Sequence, residues 1–140
     1  MKKVIIVCIA VIITAGSAYC QIKVTDAAKK AFAEKFPNAT DVKWGKENAK
    51  EYEAEFKMNG LSVSANFKLD GSWVETESSI PVSDLPDAVS NAIKTKYPGI
   101  PILKAEKTEK PGGKIIYETV IKIHGKKKEI ELNPDGTFVK

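Results

Sequence analysis

The chain has 140 residues and a formal net charge of +4, and all 22 of its basic residues are lysines. Arginine is the usual residue for bidentate recognition of phosphates and base edges, so its absence argues against a nucleic-acid partner. The two cysteines, Cys8 and Cys20, lie in or at the edge of the N-terminal apolar segment. The remainder of the chain therefore forms no intramolecular disulfide.

Residues 1–20 have the pattern of a secretory signal peptide. A basic start is followed by a twelve-residue apolar stretch, residues 4–15, and then by small residues. This stretch is too short to span a bilayer comfortably. Cleavage after Ala18 and cleavage after Cys20 both fit the small-residue rule, and lipidation of Cys20 is an alternative. We expect a periplasmic or secreted protein with no transmembrane segment in its mature form, or one anchored by a lipid on Cys20.

The rest of the chain predicts two helices, each followed by strands. The first helix has apolar residues at a three-to-four spacing. It is expected to begin at Thr25 or Asp26 and to end before Pro37. The second repeats this pattern after Ser83 or Asp84 and stops at Pro98-Gly99.

Alternating polar and apolar residues predict the strands that follow each helix. In the first half they are residues 41–46, 51–58, 61–69 and 72–77. In the second half they are residues 114–123, 129–133 and 137–140, with another strand expected before the loop at Pro111-Gly112-Gly113. The turns between strands are expected at Asn59-Gly60, Asp70-Gly71, His124-Gly125 and Asp135-Gly136.

The two halves of the chain match each other. Residues 27–37 align with residues 88–98 at an offset of 61, and the two Asp-Gly turns align at an offset of 65. Each half alone is short for a stable fold. The sequence therefore predicts an α+β protein of two tandem units, residues 21–80 and 81–140, in one compact domain. Each unit is expected to be one helix followed by a roughly four-stranded antiparallel meander.

Several motifs resemble the beta-lactamase-inhibitor-like, PepSY-like domain family of small exported Bacteroidetes-type proteins. They are helices that end in Phe-Pro or Tyr-Pro, together with Val42-Lys43-Trp44, Tyr52 to Phe56, Asp70 to Glu77 and Leu85 to Val89. The resemblance covers about residues 23–140 and implies a fold similar to the beta-lactamase inhibitory protein. It does not imply inhibition of a beta-lactamase, because fold similarity alone does not carry function.

The sequence presents no catalytic constellation, so we expect neither an enzyme nor a cofactor. Its single histidine, His124, occupies the turn position that matches Asn59. Nucleophile motifs, phosphate-binding loops and Cys/His clusters are missing from the sequence. The lysines at 126–128 are expected to form a solvated hairpin tip, with contact to an acidic surface or lipid headgroups as the alternative.

Glutamates spaced two apart project from one face of the predicted strands. These pairs are Glu53 with Glu55, Glu75 with Glu77, and Glu129 with Glu131. Such pairs could bind a cation through their oxygen atoms, serve as a general acid and base, or lie on a solvated sheet face. On a solvated face we expect cross-strand lysines to balance the glutamates, namely Lys57, Lys68, Lys122 and Lys128.

The predicted function is an exported, non-enzymatic protein that presents a broad polar sheet face to a protein or peptide partner in the cell envelope. The candidate contact residues are Glu53, Glu55, Ser64, Asn66, Lys68, Trp73, Glu118, Lys122, Glu129 and Glu131. The alternative is a periplasmic protein that binds a small ligand or a cation through its paired glutamates. Trp44 and Trp73 have no equally large counterparts in the second half. We expect both in the core, with a partner-contact role as the alternative.

Overall fold

The computed structural model describes residues 22–139. Its helices are α1 (Asp26–Lys35) and α2 (Asp87–Lys96). Its strands are β1 (Thr40–Lys46), β2 (Glu51–Met58), β3 (Leu61–Lys68), β4 (Trp73–Ile80), β5 (Ile102–Lys110), β6 (Lys114–Ile123) and β7 (Lys126–Leu132). The strands form one seven-stranded sheet in sequence order, and every neighbouring pair is antiparallel. The predicted α+β class is confirmed.

The helix starts differ between the two halves. At α1 the Thr25 hydroxyl accepts a hydrogen bond from the backbone N–H of Ala28 at 3.3 Å, as expected for an N-cap. The same hydroxyl donates to the carbonyl of Leu69 at 2.8 Å and so ties the helix to the end of β3. Helix α2 is preceded by Pro86 without a side-chain cap, while residues 82–84 form a short 3₁₀ turn.

Two hydrophobic clusters hold the helices to the sheet. Against α1, Phe32 packs edge-on to Phe56 with ring centroids 5.1 Å apart, within a cluster drawn from β2 and β3. Against α2, Ile93 packs in a second cluster with Ile121 and Leu132. Burial of aromatic and aliphatic side chains of this size stabilises a fold by about 1.5–3 kcal/mol each.

Both helices lie on the same face of the sheet. Val63, in the first cluster, pairs with Ser78 of β4, and Ile80 two residues later pairs with Ala105 in the second cluster. Because residues two apart on a strand point to one side, the two clusters share a side. The opposite side is covered by no helix of residues 22–139, and we call it the open face.

The second half has three strands rather than the predicted four. Of residues 137–139, only Phe138 forms a bridge, to Leu132, and Lys140 lies outside the described residues. The equivalent segment of the first half, β4, has strands on both sides, whereas among residues 22–139 this segment has only β7 beside it. A strand paired along one short edge gains fewer hydrogen bonds, so the final segment stays irregular.

The expected tight turns follow β3 and β7. Gly71 has φ +89°, and a Cβ there would lie 2.7 Å from the carbonyl oxygen of Ala27 in α1. Gly136 has φ +83°, and a Cβ there would lie 2.5 Å from the carbonyl oxygen of Ala88 in α2. Each turn approaches its helix so closely that only glycine fits without a backbone shift.

Candidate functional site

Three rows of side chains cross the open face from strand to strand. The central row runs Lys43, Glu55, Ser64, Glu77, Thr108 and Ile116. The row on one side contains Glu53, Asn66 and Glu75. The row on the other side contains Ser79, Glu106, Glu118 and Glu131. Carboxylates therefore occupy the middle of the face.

The open face is concave over β1 to β5 and forms a depression of about 800 Å³. Its charged lining consists of Asp41, Glu53, Glu55, Glu77 and Glu106 with Lys43, Lys57 and Lys104. Hydroxyl groups of serines complete the polar lining. A depression of this size accommodates a small molecule or a few residues of a polypeptide. We call this concavity the depression.

At one side of the depression three glutamates stand directly opposite one another. Glu106 of β5 pairs with Glu118 of β6, which pairs with Glu131 of β7. Glu106 is compensated, because the Lys104 ammonium lies 2.8 Å from its carboxylate and the Ser79 hydroxyl donates to it at 3.4 Å. Like charges directly opposite on neighbouring strands destabilise a sheet. The arrangement therefore carries an electrostatic cost.

Glu118 has the most strongly perturbed carboxyl of the open face. Its neighbours on the same side of β6, Ile116 and Val120, are only 7% and 8% exposed although no helix of residues 22–139 covers them. Loss of water on this apolar floor is the main reason that the pKa of Glu118 rises from 4.5 to about 7. Repulsion from nearby carboxylates adds to the rise, in the order Glu129, Glu106, Glu77 and Glu131. At neutral pH this carboxyl is partly protonated.

Two further carboxyls on the open face are perturbed in the same direction. Burial raises the pKa of Glu77, and repulsion from Glu75 and Glu106 adds to the effect. Burial also raises the pKa of Glu53, with repulsion from Glu55 as the next cause. The side chain of Glu77 remains accessible to solvent, so the walls of the depression remove only part of its water. The centre of the face thus favours uptake of positive charge.

The lysines expected to balance the glutamates do not do so. Within residues 22–139, no ion pair joins a carboxylate to Lys57, Lys68, Lys122 or Lys128. The Lys57 ammonium donates instead to the Ser62 hydroxyl at 2.6 Å, and the Lys128 ammonium lies 5.2 Å from the ring centroid of Tyr97. Lysines other than those expected compensate two glutamates: Lys110 pairs with Glu75 at 2.7 Å, and Lys104 pairs with Glu106.

Trp73 lies on the helix side of the sheet, away from the other candidate contact residues. A bulge in β4 is the reason: Asn66 pairs with Glu75 but Phe67 pairs with Trp73, so Val74 is the extra residue. Strict alternation would have placed Trp73 on the same side as Glu75. Its indole N–H donates to the Thr76 hydroxyl at 3.0 Å, and its ring packs against the first cluster. Trp73 is therefore no anchor for a partner on the open face.

The other nine candidate contact residues lie on the open face. Its central rows contain Glu53, Glu55, Ser64, Asn66, Glu118 and Glu131. Glu129 lies beside Val120, whereas Lys68 and Lys122 are exposed residues near strand ends. Trp44 packs edge-on to Phe32 at 5.3 Å in the first cluster.

The sequence prediction missed Glu106 and the apolar floor formed by Ile116 and Val120. Strict alternation from Ile102, which pairs with Ile121 of the second cluster, would place Glu106 on the helix side, but the register of β5 shifts between Ile102 and Lys104 and brings Glu106 to the open face. Residues 106, 107, 109 and 110 are all glutamate or lysine, so no alternation of polar and apolar residues is visible there. The register of β5 against its neighbours, which sequence alone does not give, brings Glu106 opposite Glu118.

The remaining polar features belong to turns. His124 has φ +50° and is followed by Gly125 at φ +80°, which matches Asn59 at +52° and Gly60 at +80°. The turn prediction for His124 is confirmed. Among residues 22–139, no three His, Cys, Asp or Glu side chains are placed to hold a metal ion.

A comparison with protein-family models matches residues 50–140 to the family described as "Putative beta-lactamase-inhibitor-like, PepSY-like". The chain belongs to this family. No curated protein matches the PepSY-like chain. In the described part of the chain, no helix has the length and apolar character needed to cross a membrane.

Solved structures share the fold of the PepSY-like chain. A "putative periplasmic" protein of Bacteroides eggerthii superposes with TM-score 0.78 and 21% identity, covering 85% of this chain and 88% of the other. A DUF2874 family protein of Bacteroides ovatus gives TM-score 0.77 and 23% identity over 85% and 86%. A BLIP-like protein of Bacteroides fragilis gives TM-score 0.75 and 22% identity over 85% of each chain. The expected similarity to the beta-lactamase inhibitory protein fold is therefore confirmed.

Proposed function

We propose that this chain is an exported, non-enzymatic protein that binds a protein or peptide partner through its open face. The observation that carries the proposal is the depression of about 800 Å³, built from five consecutive strands and lined with carboxylates. A sheet whose one side packs helices needs no concavity on its other side for stability. A concave, helix-free surface with fixed polar groups matches what a binding site requires.

Glu106, Glu118 and Glu131, which we call the glutamate row, repel one another, and this energetic cost supports a binding role. Glu118 faces Glu106 and Glu131 over an apolar floor, so its ionised form is destabilised in the free protein. Residues that weaken the folded state without packing benefit are typical of functional surfaces, because a partner supplies the missing interactions.

A non-enzymatic role fits the chemistry of the open face. A carboxyl with a pKa near 7 is also a feature of general acid–base catalysis. Around Glu118, however, the facing groups are carboxylates, aliphatic side chains and the Lys104 ammonium, which is paired with Glu106. His124 lies at an exposed turn between β6 and β7. We assign no nucleophile and no catalytic pair.

Export to the periplasm is part of the proposal. Residues 1–20 have the charge and hydropathy pattern of a signal peptide, and they lie outside the described residues. The similar structure from Bacteroides eggerthii is described as a "putative periplasmic" protein. Lipidation of Cys20 would place the same fold at a membrane surface.

We also infer that the two halves are copies of one helix-plus-meander unit. The Lys35 ammonium lies 3.6 Å from the ring centroid of Trp73, and the Lys96 ammonium lies 3.8 Å from that of Phe138. The two lysines are 61 residues apart and the two aromatic residues are 65 apart, which are the offsets at which the two halves of the sequence align. Duplication would explain a continuous sheet in which each half contributes part of the open face.

Affinity capture from the native envelope fraction tests the binding proposal. The exported chain is used as bait beside Glu77→Lys, which reverses a charge in the depression, and Glu34→Lys, which makes the same change on α1. The Glu34 side chain is 68% exposed on the helix side, so its reversal leaves the open face intact. We expect a partner that the wild type and Glu34→Lys retain and Glu77→Lys loses. Equal retention by all three would contradict the proposal.

A further inference from the structure

We propose that the segment bound in the depression is basic, and that lysine or arginine side chains of the partner enter between Glu77, Glu106 and Glu118. This inference rests on the proposed binding function and adds the chemistry of the partner. It commits to a polypeptide carrying cationic side chains rather than to a metal ion or an anionic surface.

The charge of the depression is the first argument. Its lining has five carboxylates, Asp41, Glu53, Glu55, Glu77 and Glu106, against three lysines, Lys43, Lys57 and Lys104. Of those lysines, Lys104 is engaged by Glu106. The chain as a whole carries a formal charge of +4, so the acidic centre does not follow from its composition. Opposite charges across an interface steer association and select the partner.

The lack of donors is the second argument. Asn66 donates its amide N–H to Glu75 at 3.4 Å, but its Oδ1 atom is buried and accepts no hydrogen bond within the described residues. Buried acceptors without a donor are uncommon and costly. Asn66 lies beside the depression, and within the lining itself Glu53, Glu55 and Glu77 form no ion pair with another described residue. Guanidinium and ammonium groups carry donors and no acceptors, which suits these carboxylates.

The geometry of the glutamate row is the third argument. The groups that face Glu118 are Glu106 and Lys104 from β5, Glu77 from β4, and Glu129 and Glu131 from β7. Glu118 is thus surrounded by four other glutamates and one lysine, so this part of the open face is short of positive charge. A cationic side chain placed over Glu118 would relieve the repulsion on three strands at once.

This arrangement makes binding depend on pH in a defined direction. In the free protein the pKa of Glu118 is about 7, and a bound cation would lower that pKa because it favours the ionised form. Binding must then displace a proton at acidic pH. If the bound pKa lies well below 6, affinity is about tenfold weaker at pH 6 than at pH 8.

A titration with synthetic peptides tests the inference. The probes are three twelve-residue peptides in which Gly-Ser alternates with lysine, with glutamate or with serine alone. Each is added to the ¹⁵N-labelled exported chain at about 0.15 M salt, where long-range attraction is screened. We expect the lysine peptide alone to shift the amide signals of β4, β5 and β6 around the depression, about tenfold more weakly at pH 6.

Glu118→Gln and Glu34→Gln are the matched variants for this titration. Glu118→Gln should abolish the pH dependence and weaken binding at pH 8 severalfold, whereas Glu34→Gln should change neither. Diffuse shifts over the whole surface, or equal binding of the serine or glutamate peptide, would overturn the inference. If no peptide binds but envelope capture still depends on Glu77, the basic partner is wrong while the binding function stands. If capture is also independent of Glu77, both fail.

Discussion

Replacement of Glu118 by glutamine should stabilise the protein at neutral and alkaline pH but not at acidic pH. The unfolded chain has a carboxyl pKa near 4.5 at this position, whereas burial on Ile116 and Val120 and repulsion from other glutamates raise it to about 7 in the folded state. Between these values the folded protein binds the proton more tightly than the unfolded chain does. The contribution of Glu118 to stability is therefore fully present below pH 4.5 and is lost as the pH rises towards 7.

The size of the effect follows from the same shift. Two and a half pKa units correspond to about 3.4 kcal/mol at most, since one unit is about 1.36 kcal/mol. The side chain of Glu118 keeps part of its solvent, and screening reduces the effect to about 1–2 kcal/mol. For a domain of this size we expect the Tm of Glu118→Gln at pH 8 to exceed that of the wild type by roughly 4–8 °C.

The assay is thermal unfolding of both proteins at pH 4.5, 6, 7 and 8 in one buffer system. Glutamine matches the shape of a protonated glutamate, so the two Tm values should coincide at pH 4.5 and diverge as the pH rises. Glu109→Gln is the control, because Glu109 lies on the same sheet but pairs with Lys107 on the helix side. A Tm difference that is constant with pH, or a less stable Glu118→Gln at pH 8, would refute the reasoning.

The other predictions concern the fold and the alternative ligand. Gly71→Ala should lower the free energy of unfolding by about 1–3 kcal/mol, because φ is +89° and the new Cβ would meet the Ala27 carbonyl. Gly60→Ala should lower it less, because the space around Gly60 is open, and equal losses in urea unfolding would contradict this. Phe32→Ala should lose about 3–5 kcal/mol in one cooperative transition, because both clusters share the sheet; a biphasic curve would show separate units. Millimolar calcium should leave the Tm within error of that in sodium chloride of equal ionic strength, and a calcium-specific rise would revive a cation site.

Local sequence patterns predicted much of this fold because turn chemistry and alternation act over a few residues. The Asn59-Gly60 and His124-Gly125 turns require positive φ, and both have it. Strand β2 alternates without interruption, and its buried residues were those expected to point inward. These features depend on neighbours along the chain, which the sequence shows directly.

The position of Trp73 depends on a bulge, and a bulge depends on two strands together. Val74 is extra only relative to the pairing of β3 with β4, so no pattern within β4 alone reveals it. The consequence is large, because one inserted residue moves a tryptophan from the open face to the helix side.

The glutamate row is likewise a property of register. Sequence reasoning identified Glu118 and Glu131 as candidates but not Glu106, because the order of strands and the shift in β5 bring these three together. The raised pKa of Glu118 follows first from burial beside Ile116 and Val120 on β6 and then from repulsion by the glutamates of neighbouring strands. Pairs two apart along a strand were visible in the sequence, whereas neighbours across strands were not.

Photo-crosslinking inside the native cell tests most directly the claim that the open face binds a partner. p-Benzoylphenylalanine is placed at Lys57, which lines the depression, or at Lys30, whose side chain is 77% exposed on α1. We predict one discrete crosslinked product from position 57 and none from position 30. Crosslinks from position 30 alone, or the same products from both positions, would contradict a partner on the open face.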